Sequence, residues 1–195
     1  MPRRKTAFLP GYHYHLYNRG NNCQNIFFGR ENYRFFLTLF RRYLVEPQSS
    51  ACALPTLDVV AYCLMPNHYH FLVRLRESNL SEQMGFFSLA YTKAINRRFR
   101  RCGSLFQGRF QAIHVGKEAY LTNLTRYIHL NPVKAGLVER AEEWEFSSYR
   151  DYVELRRGTL PQFSEVRGGS AAGYRAFVEG DDYSQPALLR LMLDF

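Results

Sequence analysis

Short apolar segments of two different periodicities follow one another along the first 115 residues of the chain. Alternating or β-branched apolar residues predict strands at residues 12–18, 57–65, 68–76 and 110–115. Apolar residues repeat at helical spacing over residues 31–46 and 79–101. The order strand, helix, strand, strand, helix, strand predicts a ferredoxin-like α+β sandwich, in which a four-stranded antiparallel sheet carries two helices on one face.

Two local features complete this arrangement. The turn Met65-Pro66-Asn67 predicts a tight antiparallel hairpin between the second and third strands. After the fourth strand, a helical pattern runs from about Lys117 to Asn131. We expect Pro132 to end this added helix, because proline displaces the residue before it from the α region.

The length of the chain suits one folded domain with an appendage. A chain of 195 residues with 46% hydrophobic and 16% aromatic residues can bury a substantial core. The periodic pattern is lost beyond Trp144, so we expect a domain over residues 1–150 and a C-terminal extension over residues 151–195. This extension is expected to pack on the domain or to regulate it, with the apolar segment Pro186–Phe195 docking on the core.

Apolar runs and cysteine spacing exclude several classes of protein. No apolar run approaches the roughly 18 residues that span a bilayer, and the N-terminal segment lacks the apolar core of a signal peptide. The four cysteines lie far apart without a CxxC pair, which argues against a disulfide framework or a cysteine zinc site. We therefore expect reduced thiols, a cytoplasmic location and no membrane partner.

The positive charge of the chain is concentrated before residue 151. Residues 1–150 hold 21 of the 26 basic side chains and 10 of the 17 acidic ones, and the whole chain has a net charge of +9. No carboxylate lies between Gln83 and Lys117, where the basic residues are Lys93, Arg97, Arg98, Arg100, Arg101, Arg109 and Lys117. A solvated helix face is one interpretation, but so many uncompensated cations favour a nucleic-acid partner.

Two histidines occupy alternate positions of the third strand. Side chains two residues apart project from the same face of a strand, which places His68 and His70 about 7 Å apart. This spacing suits two imidazoles on one divalent metal ion, although half-buried histidines with no ligand would look the same in sequence. A second pair, His13 and His15, shows that the pattern alone is common.

The added helix supplies a candidate nucleophile. Tyr127 continues the apolar stripe of this helix and could be structural, but tyrosine can also attack as a covalent nucleophile. Asn131 follows four residues later and shares its helix face, where its carbonyl oxygen could reach a metal ion held by the two histidines.

These motifs together resemble a known family. The segments Met65–Val73 (MPNHYHFLV) and Tyr127–Val138 (YIHLNPVKAGLV) are similar to those of the single-tyrosine HUH transposases, most closely the REP-associated tyrosine transposase branch. Supporting segments are Tyr14–Asn22, Leu105–Phe110 and Trp144–Tyr149. The resemblance runs in order from about residue 10 to residue 150.

The resemblance implies a site and a reaction. His68 and His70 correspond to the metal ligands, Asn131 to a third ligand, and Tyr127 to the nucleophile that cleaves single-stranded DNA and forms a 5′-phosphotyrosine link. The metal ion is expected to be Mg²⁺ or Mn²⁺. His129 points elsewhere on the helix and is expected to give support, while His15 matches a recurring family residue whose role stays open.

The resemblance also implies a substrate, namely single-stranded or hairpin DNA of the palindromic REP type, and hence a protein associated with the bacterial nucleoid. The predicted DNA-binding residues are Arg19, Arg97, Arg98, Arg100, Arg101, Gln107, Arg109 and Lys134. Phe106 is expected to stack on bases beside Gln107 and Arg109. The acidic residues Glu179, Asp181 and Asp182 would either compete with DNA or follow the packing of the tail. The protein could act as a monomer or a homodimer.

Other functions stay open from the residues alone. A non-catalytic module that binds single strands on an RRM-like sheet is one alternative, although the third strand lacks the usual aromatic signature. A nuclease that activates water at the histidine pair, with Tyr127 purely structural, is another. An inactive relative that still binds DNA is a third.

Overall fold

The computed structural model describes residues 7–46, 55–116 and 118–180. Four strands form one sheet in the order β2-β3-β1-β4, and every neighbouring pair is antiparallel. The strands are β1 (His13–Arg19), β2 (Leu57–Met65), β3 (His68–Leu75) and β4 (Gln111–Val115). The longer helices are α1 (Arg30–Phe40), α2 (Leu80–Arg98) and α3 (Glu118–Lys134).

This strand order and the β1-α1-β2-β3-α2-β4 sequence confirm the ferredoxin-like prediction, including the tight hairpin between β2 and β3. The helix predicted over residues 31–46 ends its regular α-helical part at Phe40 and continues as a π-helical turn, Arg41–Val45. Up to residue 180, a 3-10 turn (Ala141–Glu143) and three short α-helices follow α3, namely α4 (Tyr149–Tyr152), α5 (Ser164–Arg167) and α6 (Ala171–Glu179).

The two faces of the sheet contribute to different cores. On β3, the alternate residues Tyr69, Phe71 and Val73 belong to the core that contains buried side chains of α1 and α2. Leu72 faces the other way and belongs to a second core with Leu124 and Ile128 of α3. Every residue of β2 is buried, because helices cover this part of the sheet on both sides.

A β-bulge in β2 keeps this division intact. The pairing register with β3 shifts between Val59 and Ala61, which reverses the alternation of side chains beyond that point. Val59 before the bulge and Tyr62 after it therefore face the same core.

The prediction that Pro132 ends α3 is wrong. The helix continues to Lys134, with Pro132 inside it, and the amide N–H of Ala135 still donates to the carbonyl of Asn131 at 3.0 Å. Proline removes one helical hydrogen bond, but residues on both sides of it pack into the second core. These are the buried Ile128 and Leu130 before Pro132 and the half-buried Val133 after it. Their packing outweighs the local preference, and the chain turns at Gly136, whose φ is +65°.

Residues 149–180 pack on the outer side of α3. Tyr152 of α4 and Tyr174 of α6 are buried in the second core, and His129 of α3 lies between them with hydrogen bonds of 2.8 Å to the Tyr174 hydroxyl and to Ser148. The supporting position expected for His129 is therefore what the structure shows. Pro186–Phe195, Asp181 and Asp182 lie outside the described residues.

Two remaining expectations concern cysteines and membranes. Cys23 and Cys102 are exposed and Cys63 is buried, and all three are free thiols. Within residues 7–46, 55–116 and 118–180, no helix is both long and apolar enough to cross a bilayer.

Candidate active site

The side chains of the site project from the sheet face that α3 partly covers. His68 and His70 lie on this face of β3, with their ring centroids 5.1 Å apart. Directly across on β1, Arg19 pairs with His68 and Tyr17 pairs with His70. The two-residue period of both strands thus places a histidine pair beside an arginine at one end of the central strands.

Each histidine of this pair is held by a second side chain. Nε2 of His15 lies 2.9 Å from Nδ1 of His70, a contact between neighbouring strands. Nδ1 of His68 lies 2.6 Å from Oδ1 of Asn67, and the amide nitrogen of Asn67 donates to the carbonyl of Cys23 at 3.1 Å. Because an amide oxygen only accepts, His68 carries its proton on Nδ1 and presents the lone pair of Nε2.

Helix α3 brings Tyr127 to the histidines. The ring centroid of Tyr127 lies 5.7 Å from that of His70, in an edge-to-face arrangement. Nζ of Lys134 lies 5.3 Å from the centroid of the Tyr127 ring. The predicted nucleophile, two predicted metal ligands and one predicted DNA-binding cation are therefore neighbours within a single chain.

Asn131 lies between Tyr127 and His68, as its position one helical turn after Tyr127 predicts. Its buried amide interacts with both side chains, raising the pKa of His68 and lowering that of Tyr127. Both effects are smaller than the opposite effect of burial, which is the largest cause of each shift.

Burial keeps the imidazoles neutral. It lowers the pKa of His68 to about 4, with the charge of Arg19 as the next cause, and it lowers the pKa of His70 well below 6.5. Burial also raises the pKa of Tyr127 above its usual value of 10, so this phenol is protonated at neutral pH. The site thus holds two uncharged imidazoles, the form that binds metal ions, and a phenol that would have to lose its proton before it could attack as a nucleophile.

The donor set fits a hard divalent ion. Nδ2 of Asn131 is buried and makes no hydrogen bond within the described part of the chain, whereas the amide oxygen is the atom of this side chain that a cation would bind. Two imidazoles and one amide oxygen suit Mn²⁺ or Mg²⁺ when waters complete the shell. Among the described residues no three His, Cys, Asp or Glu side chains form a metal-binding group, so such an ion would depend on the amide.

The loop before β4 is attached to the same end of the sheet. The N–H of Gln107 donates to the carbonyl of Arg19 at 3.0 Å, and the Asn18 amide donates to the carbonyl of Gly108 at 3.1 Å. The side chains of Gln107 and Arg109 are exposed, and the bond to Arg19 attaches the loop to the residue that pairs with His68. Nε of Arg19 is buried and has no hydrogen-bond partner among residues 7–46, 55–116 and 118–180, which leaves it able to bind an anion.

The prediction that Phe106 stacks on bases is wrong. Its side chain is only 5% exposed, and its ring lies 6.1 Å from Tyr69 and 6.4 Å from Tyr91 in the core between the sheet and α2. An isolated bridge between Gly20 and Phe106 directs the ring inward, which no local pattern indicates.

The four arginines at the end of α2 precede the loop before β4 in the chain, and the Asn96 amide at the same helix end donates to the carbonyl of Gly103 at 2.9 Å. Arg97, Arg98 and Arg100 are exposed and Arg101 is half-buried.

Sequence reasoning did not identify Asn67 as a contact of His68, although its position next to the histidine in the hairpin turn offered a signal. The contact of His15 with His70 depends on the pairing of β1 with β3.

Comparison with known proteins identifies relatives of this chain. The chain is 27% identical over 130 residues to a protein of Haemophilus influenzae provisionally described as a REP-associated tyrosine transposase, covering 61% of this chain and 74% of the relative. It is 26% identical over 106 residues to the REP-associated tyrosine transposase of Escherichia coli, covering 53% and 60%.

A solved structure of a REP-associated tyrosine transposase bound to a REP hairpin shares the fold. Its TM-score is 0.63 at 18% identity, covering 85% of this chain and 97% of that one. The sequence pattern of the family described as IS200-like transposases matches residues 11–131, which include His68, His70, Tyr127 and Asn131. The match spans more than half of the chain, and the chain therefore belongs to the IS200-like transposase family.

Proposed function

We propose that this transposase cleaves and rejoins single-stranded, hairpin-forming DNA through a covalent link to Tyr127. The observation that carries the proposal is the position of Tyr127 beside His70 and Asn131 in one chain, with the ring centroids of Tyr127 and His70 5.7 Å apart. A nucleophile that attacks a metal-bound phosphate must lie close to the metal ligands, and the phenol of Tyr127 packs edge to face against one candidate ligand.

The reaction is a transesterification. The phenolic oxygen of Tyr127 attacks a backbone phosphorus, the bond from phosphorus to the 3′ oxygen breaks, and the 3′ oxygen leaves as a hydroxyl after taking up a proton. The tyrosine proton passes to solvent, because burial lowers the pKa of His68 and of His70 and makes both imidazoles weak bases. A 3′ hydroxyl can later attack the phosphotyrosine bond and rejoin the strands. The ester bond is conserved throughout, so no nucleotide triphosphate is required.

His68, His70 and Asn131 are the residues that would hold a divalent ion, Mg²⁺ or Mn²⁺. Such an ion would supply positive charge to polarise the phosphoryl oxygens. His15 and Asn67 keep the two imidazole rings oriented, and Lys134 adds a cation next to the phenol of Tyr127. The orientation of the two imidazole rings thus comes from side chains of the protein.

The DNA is proposed to lie along the edge formed by Arg19, the loop that carries Gln107 and Arg109, and the arginines at the end of α2. The relative with a TM-score of 0.63 is bound to a REP hairpin, which supports a hairpin substrate for this chain. Because Tyr127 and the histidines belong to the same chain, we propose cleavage in cis by a monomer. A homodimer that exchanges α3 is the alternative. A chromosomal substrate would place the protein at the nucleoid.

We also propose that residues 1–150 form the catalytic unit and that the extension supports it. Residues 149–180 pack on α3, and two backbone carbonyls near the end of this segment, those of Val178 and Gly180, accept from the side chain of Arg126, next to Tyr127. The extension thus fixes the helix that carries the nucleophile.

The covered sheet disfavours the RRM-like alternative. In such a module, single strands stack on an open sheet face, whereas every residue of β2 is buried and α3 packs against it. A covalent adduct distinguishes the proposed reaction from that of a metal nuclease, since only a tyrosine nucleophile leaves the protein attached to a DNA 5′ end.

A covalent capture experiment tests the proposal. The purified protein is incubated with labelled hairpin DNA from the host's own palindromic repeats and with Mn²⁺, and products are separated on a denaturing gel. The wild type should form a protein–DNA adduct that chelator abolishes. Tyr127→Phe should form none, whereas Tyr120→Phe, which removes a hydroxyl from the same helix seven residues earlier, should retain it.

The other outcomes identify the other functions. Cleavage that survives in Tyr127→Phe would establish a nuclease that uses water. Binding without cleavage by the wild type at any metal concentration would establish a binding module or an inactive relative.

A further inference from the structure

Two phenylalanine rings are exposed side by side at the end of α2. Phe28, in the segment before α1, is 41% exposed, and Phe99, directly after α2, is 37% exposed. Their ring centroids are 4.6 Å apart and their planes are tilted by 37°. Large aromatic side chains in contact with each other usually lie in a core, so an exposed pair indicates a binding surface.

Arginines surround this pair. The guanidinium carbon of Arg101 lies 5.4 Å from the centroid of the Phe28 ring. Arg98 and Arg100 flank Phe99 in the chain and Arg97 is two residues before it, and all three side chains are exposed. The 83–117 segment that contains all of them has no carboxylate, so the charge complements a polyanion and not an apolar protein partner.

The backbone holds this surface in a defined shape. Phe99 and Arg101 donate to the carbonyls of Ile95 and Asn96, both at 2.9 Å, which is a Schellman-type helix end. Its left-handed position is occupied by Arg100, with φ +51°, where glycine is the usual residue. The Asn96 amide also donates to the carbonyl of Gly103 at 2.9 Å. A charged residue thus occupies a strained position between Phe99 and Arg101.

A chain of backbone contacts connects this surface to the active site. The N–H of Asn21 donates to the carbonyl of Leu105 at 2.9 Å, and Gly20 bridges to Phe106. The next residue, Arg19, pairs with His68. The N–H of Phe27, which precedes Phe28, also donates to the carbonyl of Pro66, two residues before His68, at 3.1 Å. The exposed aromatic pair and the histidine pair are therefore at the same end of the molecule.

We propose that Phe28, Phe99 and Arg101 form a stacking platform for an unpaired nucleobase in the single-stranded part of the DNA that enters the active site. The proposal rests on the proposed function and adds a binding position that replaces the expected role of Phe106. Aromatic rings accept any base on their face, and the neighbouring arginines bind the phosphates on either side. The platform contributes affinity and fixes the path of the strand, and it takes no part in the covalent step.

The test uses hairpin DNA whose single-stranded flank carries 2-aminopurine, a fluorescent base that is quenched by stacking, at each flank position in turn. Phe99→Leu and Phe28→Leu remove one ring each. Phe86→Leu is the matched control, because Phe86 is 48% exposed on α2, 13 residues and about 20 Å before Phe99. Tyr127→Phe protein is used as the background for binding, so that cleavage does not interfere.

Binding of the wild-type background should quench 2-aminopurine at one flank position and not at the others. Phe99→Leu should abolish that quenching and weaken binding about tenfold, and Phe86→Leu should change neither. Equal affinity and equal quenching in Phe99→Leu and Phe86→Leu would overturn the platform. Circular dichroism melts of each variant show whether the fold is retained, and Phe28→Leu provides a second removal if Phe99→Leu does not fold.

This experiment separates the platform from the proposed function. If no base stacks on the two rings, the wild-type protein should still form the covalent adduct. Failure of the wild type to form any adduct contradicts the proposed function, whether or not a base stacks on the two rings.

Discussion

Nε2 of His15 lies 2.9 Å from Nδ1 of His70, on the neighbouring central strand of the sheet. One of these nitrogens donates and the other accepts. If His70 binds a metal ion through Nε2, its proton must be on Nδ1, and His15 must accept. Burial lowers the pKa of His15 to about 3, so this ring stays neutral and remains able to accept.

Replacement of His15 should therefore weaken metal binding. Ligand-orienting residues of this kind typically change metal affinity by about 10- to 100-fold, and we expect His15→Leu to lower Mn²⁺ affinity by that amount. Isothermal titration with Mn²⁺ in the absence of DNA measures it. His114→Gln, an exposed histidine of the adjacent strand β4, is the control and should bind as the wild type does. Unchanged affinity in His15→Leu would show that His70 needs no such support.

Cleavage should accelerate with pH. Burial raises the pKa of Tyr127 above 10, so the fraction of reactive phenolate increases about tenfold per pH unit between pH 7 and pH 9. Single-turnover rates of adduct formation at saturating DNA and Mn²⁺ should rise in proportion. A rate that does not depend on pH would mean that deprotonation of Tyr127 does not limit attack.

Acid should destabilise the fold through His129. Its pKa is lowered from 6.5 to about 3 by burial, so the unfolded chain binds a proton below pH 6.5 that the folded chain does not. The free energy of unfolding should then fall with decreasing pH between about 6.5 and 3, by about 1 kcal/mol per pH unit from this residue. The facing side chains of Tyr149, Tyr152 and Tyr174 stay neutral there, because burial raises the pKa of each.

Urea unfolding at pH 7, 6, 5 and 4 with chelator present measures this effect. The His129→Gln variant retains groups that can hydrogen-bond to Ser148 and Tyr174 but does not titrate. Its stability should depend less steeply on pH than that of the wild type, and parallel curves for the two proteins would contradict the assignment.

Arg100 should lower the stability of the fold and strengthen DNA binding. Its φ of +51° favours glycine, so Arg100→Gly should raise the free energy of unfolding by about 1 kcal/mol. Arg97→Gly removes the same charge from the helical part of α2 and should lower it by about 0.5–1 kcal/mol. Both variants should bind hairpin DNA more weakly, with a smaller dependence on salt. Stronger DNA binding by Arg100→Gly together with weaker binding by Arg97→Gly would contradict this prediction, because DNA affinity would then depend on fold stability and not on charge.

The sequence alone was sufficient where local periodicity decides the outcome. The two-residue period of β3 places His68 and His70 on one face, and the four-residue spacing on α3 places Asn131 beside Tyr127. The strand boundaries of β2 were also predicted, because its apolar residues form one short uninterrupted run. These features depend on the geometry of a single element, which the residue pattern specifies directly.

Only the tertiary structure decided which elements meet. The pairing of β1 with β3 brings His15 to His70, a bridge from Gly20 turns Phe106 into the core, and packing of α3 carries that helix past Pro132. The contact between Phe28 and Phe99 likewise joins residues 71 positions apart. Such contacts depend on the register and packing of distant segments, whose free energies outweigh local preferences and leave no periodic signal in the sequence.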